Sequence, residues 1–278
     1  LLAAMEQLAF DDTLEPAYRA LALRLPGDDD MAATLHAAGH VPDPAAIYAA
    51  RERLHLALAK AMRQRLGTLE AKLDVPGAYS PDADSAGKRA LRLVILGLLS
   101  RFDSGAAARA LFFDASNMTE SLGALAVLLE AGEGTAKLAR FEETWAHDRL
   151  VMDKWFAVQV SCAKPEAVAD VVRGLVEHPA FDLKNPNRFR AVFGTLAAHH
   201  AGFHEAEGEA YDLLADWLIK LDRFNPQTAA RMSTGFESWP RYDIDRQEMM
   251  RAALERILAT EGLSRDLGEM AARMLARA

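Results

Sequence analysis

The chain carries one cysteine in 278 residues, which excludes an intrachain disulfide framework and a cysteine-rich metal site. That residue, Cys162, lies in the apolar segment VQVSCA, where a buried, inert thiol is expected. A reducing cytoplasm is compatible with such usage. Proline and glycine are sparse, at 11 and 17 residues, so structural punctuation is widely spaced. With alanine and leucine dominating a 51% hydrophobic composition, this favours helix nearly throughout and leaves little room for strands. Basic charge is in deficit, with 32 Lys and Arg against 40 Asp and Glu and a net charge of -8. A surface of that sign excludes nucleic-acid binding by phosphate neutralisation. Long apolar runs are missing too. The opening LLAAMEQLAF meets Asp11 and Asp12 after ten residues, so it is neither a secretory signal nor a membrane span. It starts in mid-pattern and without methionine, as expected of a segment from a longer polypeptide.

Catalytic signatures are also absent. No Gly-x-Ser-x-Gly elbow occurs, and SAGKRA has aspartate at position 82 where a phosphate loop needs its first glycine. Glu142 and Glu143 are adjacent on a helical pattern and point about 100° apart, so they do not converge as an acid/base pair. The residues supply no self-contained catalytic set.

What is present is a repeated helix start. Asn185-Pro186 and Asn225-Pro226 stand forty residues apart. In each, asparagine can accept from the open amides of the first turn, and proline suits the first helical position. After the second start, Gln227 and Arg231 lie four residues apart on one helix face, setting an amide beside a permanent cation. After the first, Arg188 and Arg190 sit in the opening turns, where a cation opposes the helix dipole and implies a partner from outside. Asp43-Pro44 opens a long helical pattern to Leu73, bent at Gly67, whose Arg51, Arg53, Lys60, Arg63 and Arg65 read as a solvated face. Asn117 with Glu120 predicts a capping box. Trp145, Trp155 and Phe156 at helical spacing read as core.

The group His199, His200, His204 and Glu205 invites a zinc reading, since histidines four apart on a helix are a known ligand spacing. HAGFH has alanine in place of the general base, HEAEG has glycine in place of the second ligand, and Gly202 interrupts the helix. Local hydrogen bonding is the better expectation. Helix pairs of about forty residues have the period of HEAT or armadillo repeats. The expected fold is therefore all-α, a superhelical stack of antiparallel helix pairs, with residues 243–260 and 264–278 as a terminal cap.

Residues 185–231, together with LVMDKWFAVQ (150–159), SNMTESLGAL (116–125) and RYDIDRQEMMRAALERI (241–257), resemble the C-terminal helical domain of bacterial aminopeptidase N. That family comprises zinc-dependent alanyl aminopeptidases of the gluzincin type. The resemblance implies a single C-terminal α-helical domain over residues 1–278, with the catalytic zinc domain outside this chain. The family's HExxH helix and Gly-x-Met-Glu-Asn segment do not occur here, so the chain is expected not to be an enzyme alone. Zinc would belong to the parent protein and no cofactor to this chain. In the family this domain encloses the active-site chamber and reaches the prime side of the bound peptide. The matched positions are Gln227 and Arg231, joined by Arg190, with Met152 as a wall of the channel. Expected partners are the protein's own catalytic domain and peptide substrates, with no nucleic acid and no membrane, in the cytoplasm. The alternative is a free-standing helical-repeat scaffold that binds another protein through its concave face.

Overall fold

The computed structural model describes residues 1–276. They are helical with intervening turns, and no strand occurs among them, as the alanine- and leucine-rich composition requires. No helix among the described residues is long and apolar enough to cross a membrane. The chain forms two compact units: Leu1–Pro26 with Ala49–Trp155, and Gly27–Tyr48 with the chain from Phe156 onward.

In the first unit, the core gathers Met5, Ala9, Leu58, Met62, Leu66, Leu91 and Ile95. The helices Pro16–Ala22 and Ala83–Asp103 pack closely, because Gly87 carries no side chain where the backbone of Ala17 passes. The long helix Pro44–Lys72 is unbroken at Gly67. Its start is capped by Asp43, whose Oδ1 accepts from the Ala46 amide at 3.0 Å. The basic series on this helix is less solvated than its spacing suggests. The guanidinium of Arg63 lies 4.7 Å from the Phe102 ring centroid and that of Arg65 3.6 Å from Phe10, so their stems cover apolar surface. At Asn117, Oδ1 accepts from the Glu120 amide at 3.0 Å, and Glu120 returns by accepting from Asn117 Nδ2 at 2.6 Å. A capping box would use the Asn117 backbone amide instead. Trp155 is buried as expected, and its Nε1 donates to the Leu138 carbonyl at 3.0 Å.

The second unit is built on aromatic packing. Phe189 and Phe193 stack at 4.6 Å, and Phe193 continues onto Trp217 at 5.3 Å. Helix Glu209–Asp222 packs on Pro226–Met232 and on Ile244–Leu258, and Arg265–Leu275 closes the group. Short turns join these helices, so each buries its apolar stripe on its neighbours. The indole of Trp239 is 2% exposed and donates to the Met274 carbonyl at 3.0 Å, anchoring the last helix. Cys162 is half-buried rather than enclosed, with its Sγ 3.7 Å from Ser161 Oγ, because it falls at the end of helix Arg149–Ser161.

Candidate functional site

Both Asn-Pro starts form as the sequence predicts. Asn185 Oδ1 accepts from the amides of Asn187 at 3.1 Å and Arg188 at 3.4 Å, and Asn225 Oδ1 accepts from Thr228 at 3.0 Å. The prolines occupy the first helical position in each. These caps fix where the following side chains project.

The two arginines after Asn185 have different fates. Arg188 is 4% exposed, donates to the Ala180 carbonyl and lies 4.5 Å from the Phe156 ring centroid. Its partners are inside the fold, and its role is packing. Arg190 is exposed, and its Nη1 donates to Asn187 Oδ1 at 3.2 Å.

The backbone departs from α geometry at Arg190, where Arg190–Gly194 forms a π turn. Nothing in the sequence signals that turn. Helix Pro226–Met232 packs against it, burying Ala229 and Ala230 and leaving Gln227 and Arg231 exposed. Among the described residues, neither the Gln227 amide nor the Arg231 guanidinium has a hydrogen-bond or ion-pair partner. Arg190, Gln227 and Arg231 thus project from two adjoining elements, with donors uncommitted to salt bridges. Such a set can hold peptide carbonyls or a carboxylate. Met152 belongs to the first unit and is 3% exposed, so within this chain it offers almost no surface.

The histidine group is a hydrogen-bonding cluster. His199 Nε2 donates to the Ala163 carbonyl at 2.9 Å while its Nδ1 accepts from the Gly202 amide at 3.1 Å. His200 Nε2 lies 3.0 Å from the Tyr242 hydroxyl, and His204 Nδ1 lies 2.8 Å from that of Tyr211. Burial pushes both imidazoles below their ordinary pKa, His204 furthest, with the neighbouring Arg246 and Arg241 charges acting the same way on it. Burial also raises both phenols, Tyr242 to about 12. His200 Nε2 and His204 Nδ1 thus each face a protonated phenol, while His200 Nδ1 is buried with no hydrogen-bond partner among the described residues. Among the described residues, no three His, Cys, Asp or Glu side chains converge to hold an ion. A cleft of about 720 Å³ opens beside these rings; it is lined by Asp29, Glu237 and Arg241 among others, and Asp29 pairs with Arg241 at 3.2 Å.

Residues 1–276 match the family described as "Domain of unknown function (DUF3458_C) ARM repeats". Aminopeptidase N of Caulobacter vibrioides is 38% identical over 278 residues, covering 98% of this chain and 32% of the relative. Aminopeptidase N of Escherichia coli is 35% identical over 280 residues, covering 98% and 31%. That of Haemophilus influenzae is 43% identical over 159 residues, covering 56% and 18%. A solved structure, "Crystal structure of Legionella pneumophila aminopeptidase A in complex with aspartic acid", superposes with a TM-score of 0.89 at 29% identity, covering 100% of this chain and 33% of that one. At these coverages the chain spans at most about a third of the relatives it matches.

Proposed function

The chain belongs to the DUF3458_C ARM-repeat family, and from that membership we propose that it is the C-terminal helical part of a zinc aminopeptidase that releases N-terminal residues from peptides. The observation that carries this reading is the asymmetry of coverage. Aminopeptidase N of Caulobacter vibrioides accounts for 98% of this chain, yet the matched stretch is only 32% of that relative. A chain that corresponds almost whole to a third of an aminopeptidase is better read as a part of one than as a free-standing scaffold.

In this reading the zinc belongs to the rest of the polypeptide, where it would activate water and polarise the scissile carbonyl. The residues present here do not fit that ion: among the described residues no three His, Cys, Asp or Glu side chains converge, and beside the unpartnered His200 Nδ1 the other facing nitrogens, His200 Nε2 and His204 Nδ1, are engaged by tyrosine hydroxyls. No bond-breaking step is therefore assigned to this chain, which is not catalytic by itself. Its work is access and orientation. It covers the chamber of its own catalytic domain and restricts entry to peptides. Arg190, Gln227 and Arg231 hold the prime side of the substrate, donating to its carbonyls or terminal carboxylate and so raising the effective molarity of the scissile bond at the metal. A cytoplasmic location accords with the single cysteine.

The test is a pair of assays with zinc and an alanine arylamide. The full-length protein is expected to hydrolyse it, and residues 1–278 alone are not. Turnover by the isolated chain with its own bound ion would overturn the reading.

A further inference from the structure

Gly194 stands at φ -67, ψ -37, an ordinary right-handed helical conformation that any L residue adopts. The backbone therefore does not require glycine there, and glycine inside a helix costs about 1 kcal/mol relative to alanine. The reason lies in space. A Cβ on Gly194 would come 2.9 Å from Arg190 Cγ, 3.8 Å from Arg190 Cβ and 3.3 Å from Met232 Cε. Met232 Cε ends a flexible side chain and can yield. Arg190 Cγ is at the root of its side chain, so it yields only by turning χ1 away from its present angle, and that rotation displaces the guanidinium at the far end. The π turn closes over Arg190–Gly194, and turns of that kind occur frequently at functional sites.

We propose that Gly194 is a positioning residue: its missing side chain leaves room for the Arg190 rotamer that sets the guanidinium 3.2 Å from Asn187 Oδ1, on the turn that adjoins the Gln227 and Arg231 helix. This rests on the reading of Arg190 as a peptide contact. Gly194 acts on the substrate only through Arg190, so the two positions are coupled. Removing Arg190 Cγ removes the obstacle, and a methyl group at 194 then has nothing rigid to meet.

The experiment is a double-mutant cycle in the full-length protein, with Gly194→Ala, Arg190→Ala and the pair. The readouts are KM and kcat for a short peptide and for an amino-acid arylamide, together with Tm. Arg190→Ala is expected to lower the ratio of peptide to arylamide kcat/KM by about tenfold, the size of one charge-assisted hydrogen bond. Gly194→Ala should lower the same ratio to within about threefold of that value, through KM, and the pair should fall no further than Arg190→Ala alone. Gly194→Ala should also lower Tm when Arg190 is present and not when it is absent. An unchanged ratio in Gly194→Ala, or an equal additional loss in the Arg190→Ala background, would overturn the proposal while leaving the peptide-contact reading intact. An unchanged ratio in Arg190→Ala sinks that reading and this proposal together. If Gly194→Ala alone does not fold, the double variant is still expected to fold, and its failure would refute the steric argument.

Discussion

His204 Nδ1 stands 2.8 Å from the Tyr211 hydroxyl, seven residues along the chain, with the histidine 3% and the tyrosine 1% exposed. His200 repeats the pairing with Tyr242, at 3.0 Å. Two imidazoles and two phenols are thereby held neutral in one core, and that makes the second unit sensitive to pH in both directions.

On the acid side, burial holds both histidines below the ordinary value of 6.5. The unfolded chain takes up protons near that pH that the folded rings refuse. Stability is therefore complete above it and declines as pH falls toward the depressed values, by about 1.4 kcal/mol per pH unit for each histidine. On the alkaline side, Tyr242 is raised to about 12, so stability declines as pH rises past about 10, where unfolded tyrosine ionises first. Urea unfolding at pH 8, 6.5 and 5.5 checks the acid limb. A flat profile across that range would contradict it.

Asp222 closes helix Glu209–Asp222 as a carboxylate at the unfavourable end of the helix dipole. It is 5% exposed and accepts from the Ser264 amide at 2.8 Å and hydroxyl at 2.5 Å, while Ser264 Oγ caps the last helix by accepting from Leu267 at 3.2 Å. Asp222→Ala leaves both donors without an acceptor and is expected to cost about 3 kcal/mol. Ser264→Ala, which loses a cap and one link, is expected to cost about 1 to 2 kcal/mol. Denaturant midpoints at constant m-value measure both, and equal losses would argue against the relay.

Gly87 marks the crossing of helices Pro16–Ala22 and Ala83–Asp103, where an added Cβ would stand 2.9 Å from the Ala17 backbone nitrogen. Backbone cannot yield as a side-chain tip does. Gly87→Ala is therefore expected to destabilise by about 1 to 3 kcal/mol despite the better helix propensity of alanine. Gly97, on the same helix with nothing within 4 Å of its Cβ position, is the control. Gly97→Ala should be neutral or stabilising by about 1 kcal/mol. Thermal unfolding of the two variants separates the cases.

In the intact protein, Arg231→Ala or Gln227→Ala is expected to raise KM or lower kcat for peptides by about five- to tenfold relative to amino-acid arylamides, the cost of one lost hydrogen bond to substrate. Arylamides have no prime-side residues to hold. Equal effects on the two substrate types would remove these residues from the peptide site.

Helix starts were the most legible feature, because a cap and a proline act within four residues. Asn185, Asn225 and Asp43 all accept where their spacing predicts. The core roles of Trp155 and Phe156 were legible from helical periodicity. The sequence predicts local hydrogen bonding for the histidine cluster, and this holds for His199 with Gly202 and His204 with Tyr211 but not for the bonds from His199 to Ala163 and from His200 to Tyr242. Tyr242 is 42 residues from His200, and no local signal links them. Likewise, nothing near Arg188 and Arg190 told which one turns inward. That was decided by the Ala180 carbonyl and the Phe156 ring, brought up from other parts of the chain.

The amino-acid order by itself determined that this chain is helical, where most helices begin, and that its members carry aminopeptidase-like segments without a metal motif, since these depend on propensities and contacts a few residues long. Tertiary structure alone decided that Arg190 opens a π turn, that Gly194 clears space for it, that Asp222 holds Ser264, and that His200 and His204 face tyrosines. Each of those joins atoms whose approach is set by the packing of whole helices, and packing is a property of volumes filled from several directions at once.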